Sequence, residues 1–233
     1  RRNDAHFSFL NKQLLQRGWE QKASFVINDD SKLMFDIFNL IKSDPNSVMF
    51  CFGGIGATPD DYTREVAGKV FTNGKMEFHE EAKNRIINQF GDEAFPHRIN
   101  MAYLPINAKL LTNVVNNVAG FYLEDRFFFT PGFPSMSQAM VIEALDLLYP
   151  KSIVTKYKRV LTVNASENDL IDTMKKMPEH LDFASLPKII GQDRKVVISL
   201  AGYDKDEVDG YFQLFIDFCE KFGKEYILKD INF

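Results

Sequence analysis

Residues 51–65 read Cys-Phe-Gly-Gly-Ile-Gly-Ala-Thr-Pro-Asp-Asp-Tyr-Thr-Arg-Glu: a short apolar run that breaks into three glycines and then two adjacent acids. Gly53, Gly54 and Gly56 free the backbone to take positive φ and to come close to a ligand. Thr58 suits a helix cap, Pro59 the first helical position, and Asp61 the place of a capping-box acid. The N–H groups at such a turn make an anion site. Asp60 and Asp61 would repel a bare phosphate there. Three roles are open to them: capping the helix only, holding a divalent cation that bridges to phosphate, or orienting an attacking water. Mg2+ held by one or two carboxylates plus substrate phosphates suits the second role.

A second stretch repeats the design. Thr130–Met140 runs from a strand through Pro131, Gly132 and Pro134 into a helix expected to start at Ser135, with Gln138 three residues on. Ser135 and the N–H groups behind it form a second possible anion site, or merely a rigid capped connection. In a parallel sheet both turns would lie at carboxyl strand ends and share one cleft. A third stretch, Asn28-Asp29-Asp30, caps the following helix or brings a carboxylate to the same sheet edge. His6, His79, His97 and His180 have no ligand spacing, which argues against zinc, and His6 reads as surface or packing. Cys51 and Cys219 read as core. No G-x-S-x-G, Walker A or C-x-x-C motif is present.

The elements that position these residues alternate between helical and strand-like patterns, which indicates an α/β sheet covered by helices. Helices are expected over 4–17 (Asp4 as cap, Phe7, Leu10 and Leu14 on one face, Gly18 after the end), over a stripe from Leu33 to Ile41, and over about 59–70, 77–90 and 135–148. Strands are expected at Ala23–Ile27 and Val48–Phe52, with a hairpin of 120–123 and 126–130 turning at Glu124–Asp125. Residues 91–119 read as loop-rich. Past Pro150 the character changes to a βαβαβ unit: strand 153–164, a helix capped by Ser166 and Asp169, strand 195–201, an amphipathic helix lined by Val208, Tyr211, Phe212, Phe215, Cys219 and Phe222, and strand 226–228. This places domains at 1–150 and 151–233.

Composition bounds the function. The chain has 233 residues, 45% hydrophobic and 26% charged, which excludes wholesale disorder, collagen and coiled coil. Its 22 Phe against one Trp indicate aromatic packing. A net charge of −4 without a basic stripe argues against nucleic acid as partner. No apolar run nears the roughly 18–20 residues of a membrane span, so no membrane partner is expected. No signal-peptide pattern is seen, and two distant cysteines make no disulfide framework, which points to a cytoplasmic protein. The chain opens on Arg1 and Arg2 without a Met and is expected to be trimmed.

Gly53–Glu65 resembles the G-G-x-G-P-T-x-D-D-x-T signature of the molybdopterin-binding (MoaB/Mog-like) domain family, most nearly its CinA type. Asp4-Ala5-His6 is similar to the family's D-x-N/H segment. Met101–Pro105 through Gly120–Glu124 is similar to its M-A-x-L-P … G-F-x-L-E stretch, and Thr130–Met140 to its L-P-G-x-P-S-E-M turn. The order and spacing fit over residues 3–148, and the later unit resembles the small second subdomain of CinA-type members. There are departures. The family's Pro is Ala57 here, the acid after Ser135 is missing, and the usual first strand with its G-x-E turn is not in the sequence. No counterpart of the CinA amidohydrolase domain occurs, so nicotinamide-mononucleotide deamidation is not expected.

The resemblance implies a three-layer, mostly parallel α/β domain with helices on both faces, plus the small α+β subdomain. It implies a small phosphorylated ligand, molybdopterin or a nucleotide, and in CinA-type members a metal-dependent pyrophosphatase acting on ADP-ribose or related dinucleotides with Mg2+, Mn2+ or Co2+. Asp29 and Asp61 match the family's acids and become the catalytic candidates, with Asp60 and Asp61 as metal ligands. Gly53, Gly54, Gly56, Thr58, Thr63, Pro131, Gly132, Pro134, Ser135 and Asp4 become candidates for ligand binding. A homodimer or homotrimer is expected, from the resemblance and the Phe-rich composition.

Overall fold

The computed structural model describes residues 4–149, 156–190 and 193–229. The chain divides into two compact units, Arg1–Ser152 and Ile153–Phe233.

In unit 1 the helices are α1 (His6–Leu15), α2 (Ser31–Ser43), α3 (Thr63–Phe71), α4 (Glu80–Phe90) and α5 (Pro134–Leu148). Its strands are β1 (Met49–Phe52), β2 (Met76–Phe78), β3 (Tyr103–Pro105), β4 (Lys109–Leu111), β5 (Gly120–Leu123) and β6 (Phe127–Thr130). The main sheet has the order β1-β6-β5-β4. β1 and β6 are parallel, while β5 is antiparallel to both β6 and β4. β2 and β3 form a separate antiparallel pair.

Strand β6, Phe-Phe-Phe-Thr, is buried along its whole length because helices cover both faces of the sheet. Phe127 and Phe129 point to the side packed by α2, α3 and α4, where Phe127 stacks on Phe71 at 4.1 Å and Phe129 on Phe121 at 4.6 Å. Phe128 points the other way, stacked on Phe50 at 4.8 Å, among residues of α5. Leu10 and Leu14 of α1 join Val141 and Leu145 of α5 on that second side. The result is the expected three-layer α/β/α arrangement on a mixed sheet. The phenylalanines serve packing: each ring removes a large apolar area from water and meets its neighbours in stacked or edge geometry.

Several expectations need correction. Ala23–Ile27 forms no strand; Val26 is 88% exposed and the segment has no paired neighbour among the described residues. The helix expected from 59 begins at Thr63, because residues 58–61 close a turn instead. Residues 76–78 are strand β2, and the next helix starts after it. The stretch 91–119 contains two 3-10 turns as well as β3 and β4. Phe7 and Leu33 are exposed, so the buried stripes of α1 and α2 are narrower than their apolar patterns. The β5–β6 hairpin turns where expected, through residues 124–126 between the paired Leu123 and Phe127, with Glu124 and Asp125 both at positive φ.

Unit 2 comprises β7 (Tyr157–Val163), α6 (Glu167–Met174), β8 (Asp182–Ile190), β9 (Asp193–Gly202), α7 (Lys205–Lys221) and β10 (Tyr226–Ile227). Its sheet, β10-β7-β9-β8, is wholly antiparallel. The order is therefore βαββαβ. β8, the extra strand, lies at the sheet edge, where its Pro187 is tolerated. Ser166 and Asp169 form the expected capping box of α6. Val208, Phe212, Phe215 and Cys219 of α7 pack on Leu161, Val163, Val196, Ile198 and Leu200, whereas Phe222 lies past the helix and is exposed. The first residues of the strand expected from 153 lie outside the described residues.

Candidate functional site

The parallel pair β1 and β6 ends level, Phe52 opposite Thr130, and both strands run directly into the two glycine turns. Gly53 N–H donates to the Thr130 carbonyl at 2.8 Å, extending the ladder by one rung. There the two backbones touch: a Cβ on Gly132 would lie 3.4 Å from the Cα of Gly53. The two glycine turns thus lie side by side at the carboxyl strand ends, in glycine-to-glycine contact.

Gly53 and Gly54 take φ of +98° and +68°, the left-handed region that favours glycine. Thr63 holds this shape. Its hydroxyl donates to the Gly53 carbonyl at 2.9 Å, its N–H donates to the Gly54 carbonyl at 3.0 Å, and its side chain is buried. Thr63 is therefore a latch for the loop rather than a group open to ligand. Among the described residues nothing accepts from the N–H groups of Gly54, Ile55, Gly56 or Ala57. Those four donors remain for an anion.

The acids sit on the next turn. Asp61 Oδ2 accepts from the Thr58 N–H at 2.9 Å and from the Thr58 hydroxyl at 2.6 Å, while Asp61 N–H donates to the Thr58 carbonyl at 3.0 Å. This short-range ring competes with helix formation, so neither Thr58, Pro59 nor Asp61 holds the helix position expected for it. Oδ1 of Asp61 has no hydrogen-bond partner among the described residues. Asp60 is exposed, and the polar groups of the neighbouring Thr58 side chain and of its own backbone hold its carboxyl below the ordinary range. Both acids thus converge on one threonine.

Oxygen donors of this kind fit a hard cation such as Mg2+. No third acid, His or Cys joins them: the described residues contain no group of three or more such side chains able to hold a metal. Asp29 is exposed, and it is Asp30 that caps α2, accepting from Lys32 N–H and Leu33 N–H. The structure does not bring Asp29 into a metal-competent group with Asp60 and Asp61.

At the second turn, α5 begins at Pro134 with Phe133 as its cap, and no side chain caps it. Proline suits the first helical position, which moves Ser135 inside the first turn and removes the expected capping box. Asp4 accepts from the N–H groups of His6 and Phe7, so it caps α1.

Sequence reasoning missed two residues. His6, read as surface or packing, stacks on Phe52 at 4.2 Å. Its Nε2 lies 3.2 Å from the Gly132 carbonyl and its Nδ1 lies 3.4 Å from Ser137 Oγ. A carbonyl only accepts, so in the neutral ring Nε2 carries the proton and Nδ1 accepts from the serine. His6 therefore braces the second glycine turn from the end of β1. The Asp4-x-His6 spacing at a helix start was the available signal. Arg64 is the other. Its guanidinium donates to the Gly56 carbonyl at 2.7 Å, to the Tyr103 carbonyl at 3.4 Å and to the Asn100 carbonyl. Burial pulls its pKa down, and the charges of Asp61 and Glu65 partly restore it. Cys51 is half-buried with its thiol pushed up to about 12 by burial, and Cys219 is up to about 11 for the same reason; both are free thiols and chemically quiet.

Two glycine turns at the carboxyl ends of adjacent parallel strands, under helices on both faces, define a three-layer α/β domain with its loops at the edge where such folds bind ligands. Residues 1–149 match the family described as "Probable molybdopterin binding domain", and the chain belongs to that family. It is 32% identical over 174 residues to a Caldivirga maquilingensis protein named only "Protein", covering 68% of this chain and 66% of the other. A CinA-like protein of Geotalea uraniireducens is 29% identical over 164 residues, covering 67% of this chain and 37% of its own length. A putative competence-damage inducible protein of Clostridium acetobutylicum is 28% identical over 179 residues, 70% of this chain and 43% of its own. The matched stretch is thus less than half of each of these two longer relatives. Among solved structures, CinA from Thermoplasma acidophilum, a protein titled as of unknown function, superposes with a TM-score of 0.56 at 23% identity, covering 63% of this chain and 87% of the other; the likeness is one of fold. No helix among the described residues is long and apolar enough to cross a membrane.

Proposed function

We propose that unit 1 binds a small phosphorylated heterocycle at the paired glycine turns and hydrolyses a nucleotide pyrophosphate such as ADP-ribose. One observation carries the reading: four N–H groups of residues 54–57 have no acceptor among the described residues where the loops of β1 and β6 touch, with two carboxyl groups on the same loop. The N–H groups take phosphate oxygens. Asp60 and Asp61 would hold a divalent cation, which supplies charge stabilisation to the diphosphate when bound. Oδ1 of Asp61 orients water toward phosphorus; the attacked P–O–P bridge breaks, giving AMP and ribose 5-phosphate, and the water's proton passes to the carboxylate and then to solvent. His6 and Thr63 hold the two turns in register. Incubation with ADP-ribose and Mg2+, Mn2+ or Co2+ is expected to release AMP, and to release none with chelator present. No AMP with any of the three metals would sink the reading.

A second reading is favoured by a different observation. Asp61 Oδ2 is already committed to Thr58, and no third ligand stands by. On this reading the domain binds molybdopterin or a nucleotide without turnover, in the context of molybdenum cofactor biosynthesis. Thermal stabilisation by AMP or molybdopterin without product formation would select it.

A further inference from the structure

Beside the acid turn lies an open cleft of about 410 Å3, lined by Thr58, Asp61, Arg64, Phe78, Asn100 and Tyr103 among others. Its size falls in the range of small-molecule sites, roughly 300–1,000 Å3. We propose that this cleft seats the planar nitrogen-heterocycle ring of the phosphorylated ligand, with the Phe78–Tyr103 pair as the stacking wall. The inference rests on the glycine turns being the phosphate seat.

The aromatic wall is the first argument. Phe78 of β2 and Tyr103 of β3 face each other directly across the strand pair, with ring centroids 5.1 Å apart. They are 46% and 41% exposed. The rings are tilted 53° to one another, so together they leave apolar area beside the cleft, and a flat ligand stacks on one of them at a time. The polar lining is the second argument. Arg64 puts positive charge in the wall, where a π-face attracts it. The third is rigidity. Arg64 ties Gly56, Asn100 and Tyr103 together through their carbonyls, so the glycine loop, the 98–102 turn and β3 are held as one frame. Thr58 and Asp61 belong both to this lining and to the acid turn, so one loop serves phosphate on one side and ring on the other.

Calorimetry with AMP, a pterin monophosphate and ribose 5-phosphate tests this without any need for turnover. All three carry phosphate, and only the first two carry the ring. One ring-bearing ligand is expected to bind on the order of 10-fold tighter than ribose 5-phosphate, as aromatic stacking provides. Which of the two it is tells adenine from pterin. The advantage is expected to vanish in the double variant Phe78→Ala/Tyr103→Ala, while affinity for ribose 5-phosphate stays within about twofold. Should the double variant fail to fold, Tyr103→Leu keeps the bulk, removes the aromatic face and is expected to lose most of the advantage. No ring advantage in the unaltered protein, or one that survives these substitutions, overturns the inference. A protein that shows the ring advantage but never cleaves ADP-ribose defeats only the proposed hydrolysis.

Discussion

Both units lay amphipathic helices on a sheet, but they handle their strand ends differently. In unit 2 the ends of β7, β8 and β9 join through antiparallel pairing and capped helices, and Asp204 and Ser166 satisfy the first N–H groups of α7 and α6. In unit 1 the ends of β1 and β6 open into loops whose N–H groups at 54–57 find no acceptor among the described residues, and the nearest helices, α3 and α5, start with no side-chain cap. A similar helix-on-sheet packing caps its helix starts in one case and leaves the N–H groups of residues 54–57 without acceptors among the described residues in the other. Unpaired backbone in an ordered loop is where chemistry is to be sought.

The sharpest break in the comparison comes from Asp61. Asp61→Asn keeps an acceptor for Thr58, so the melting temperature should stay near normal. ADP-ribose hydrolysis should fall by roughly 10²–10⁴-fold, as for loss of a positioned acid–base group. A lower melting temperature with unchanged turnover would make the acid a turn-former only.

Next in size is the opposite experiment. Phe212, fully enclosed in unit 2, becomes a cavity in Phe212→Ala, at a cost of about 3–5 kcal/mol seen by chemical denaturation. AMP release per folded molecule should not change. A parallel loss of turnover would mean that unit 2 takes part in the chemistry.

Glycines in the two units should respond with opposite signs. A Cβ at Gly54 would lie 2.3 Å from Thr63 Oγ1 at positive φ, so Gly54→Ala should destabilise by about 1–3 kcal/mol and weaken pyrophosphate binding. Gly210, in α7 with open space around its would-be Cβ, should gain about 0.5–1 kcal/mol on replacement by Ala. Paired thermal melts check both.

The smallest effect concerns acid. Asp169, pulled below its ordinary 3.8 chiefly by the Ser166 backbone hydrogen bond, stabilises unit 2 above that value. The contribution is lost as pH falls through the lower folded value, and Asp60 in unit 1 behaves likewise. Melts between neutral pH and pH 3 should show a modest decline confined to the acid end, with no change above about pH 5.

Much of this was legible in the residues. The three-layer fold follows from strands such as Phe127–Thr130, apolar on both faces, and the meeting of the two glycine turns from their place after neighbouring strands. The Ser166–Asp169 capping box was readable from its spacing alone. The 58–61 turn was not, because a local side-chain ring and a helix start share the same Thr-x-x-Asp pattern and only the through-space contacts separate them. His6 was hidden for a different reason: its partners, Gly132 and Ser137, are more than 120 residues away in sequence. Ala23–Ile27 has the composition of a strand, but strand formation needs a neighbour that composition does not reveal.

The central claim is that phosphate is taken by the backbone of the two touching glycine turns. Amide chemical shifts measured while pyrophosphate is added test it directly. The account predicts that the N–H signals of Gly54, Ile55, Gly56, Ala57 and Ser135 move together and saturably, while those of α6 and α7 in unit 2 stay in place. Shifts confined to unit 2, or none in residues 54–57 at saturating pyrophosphate, would contradict it.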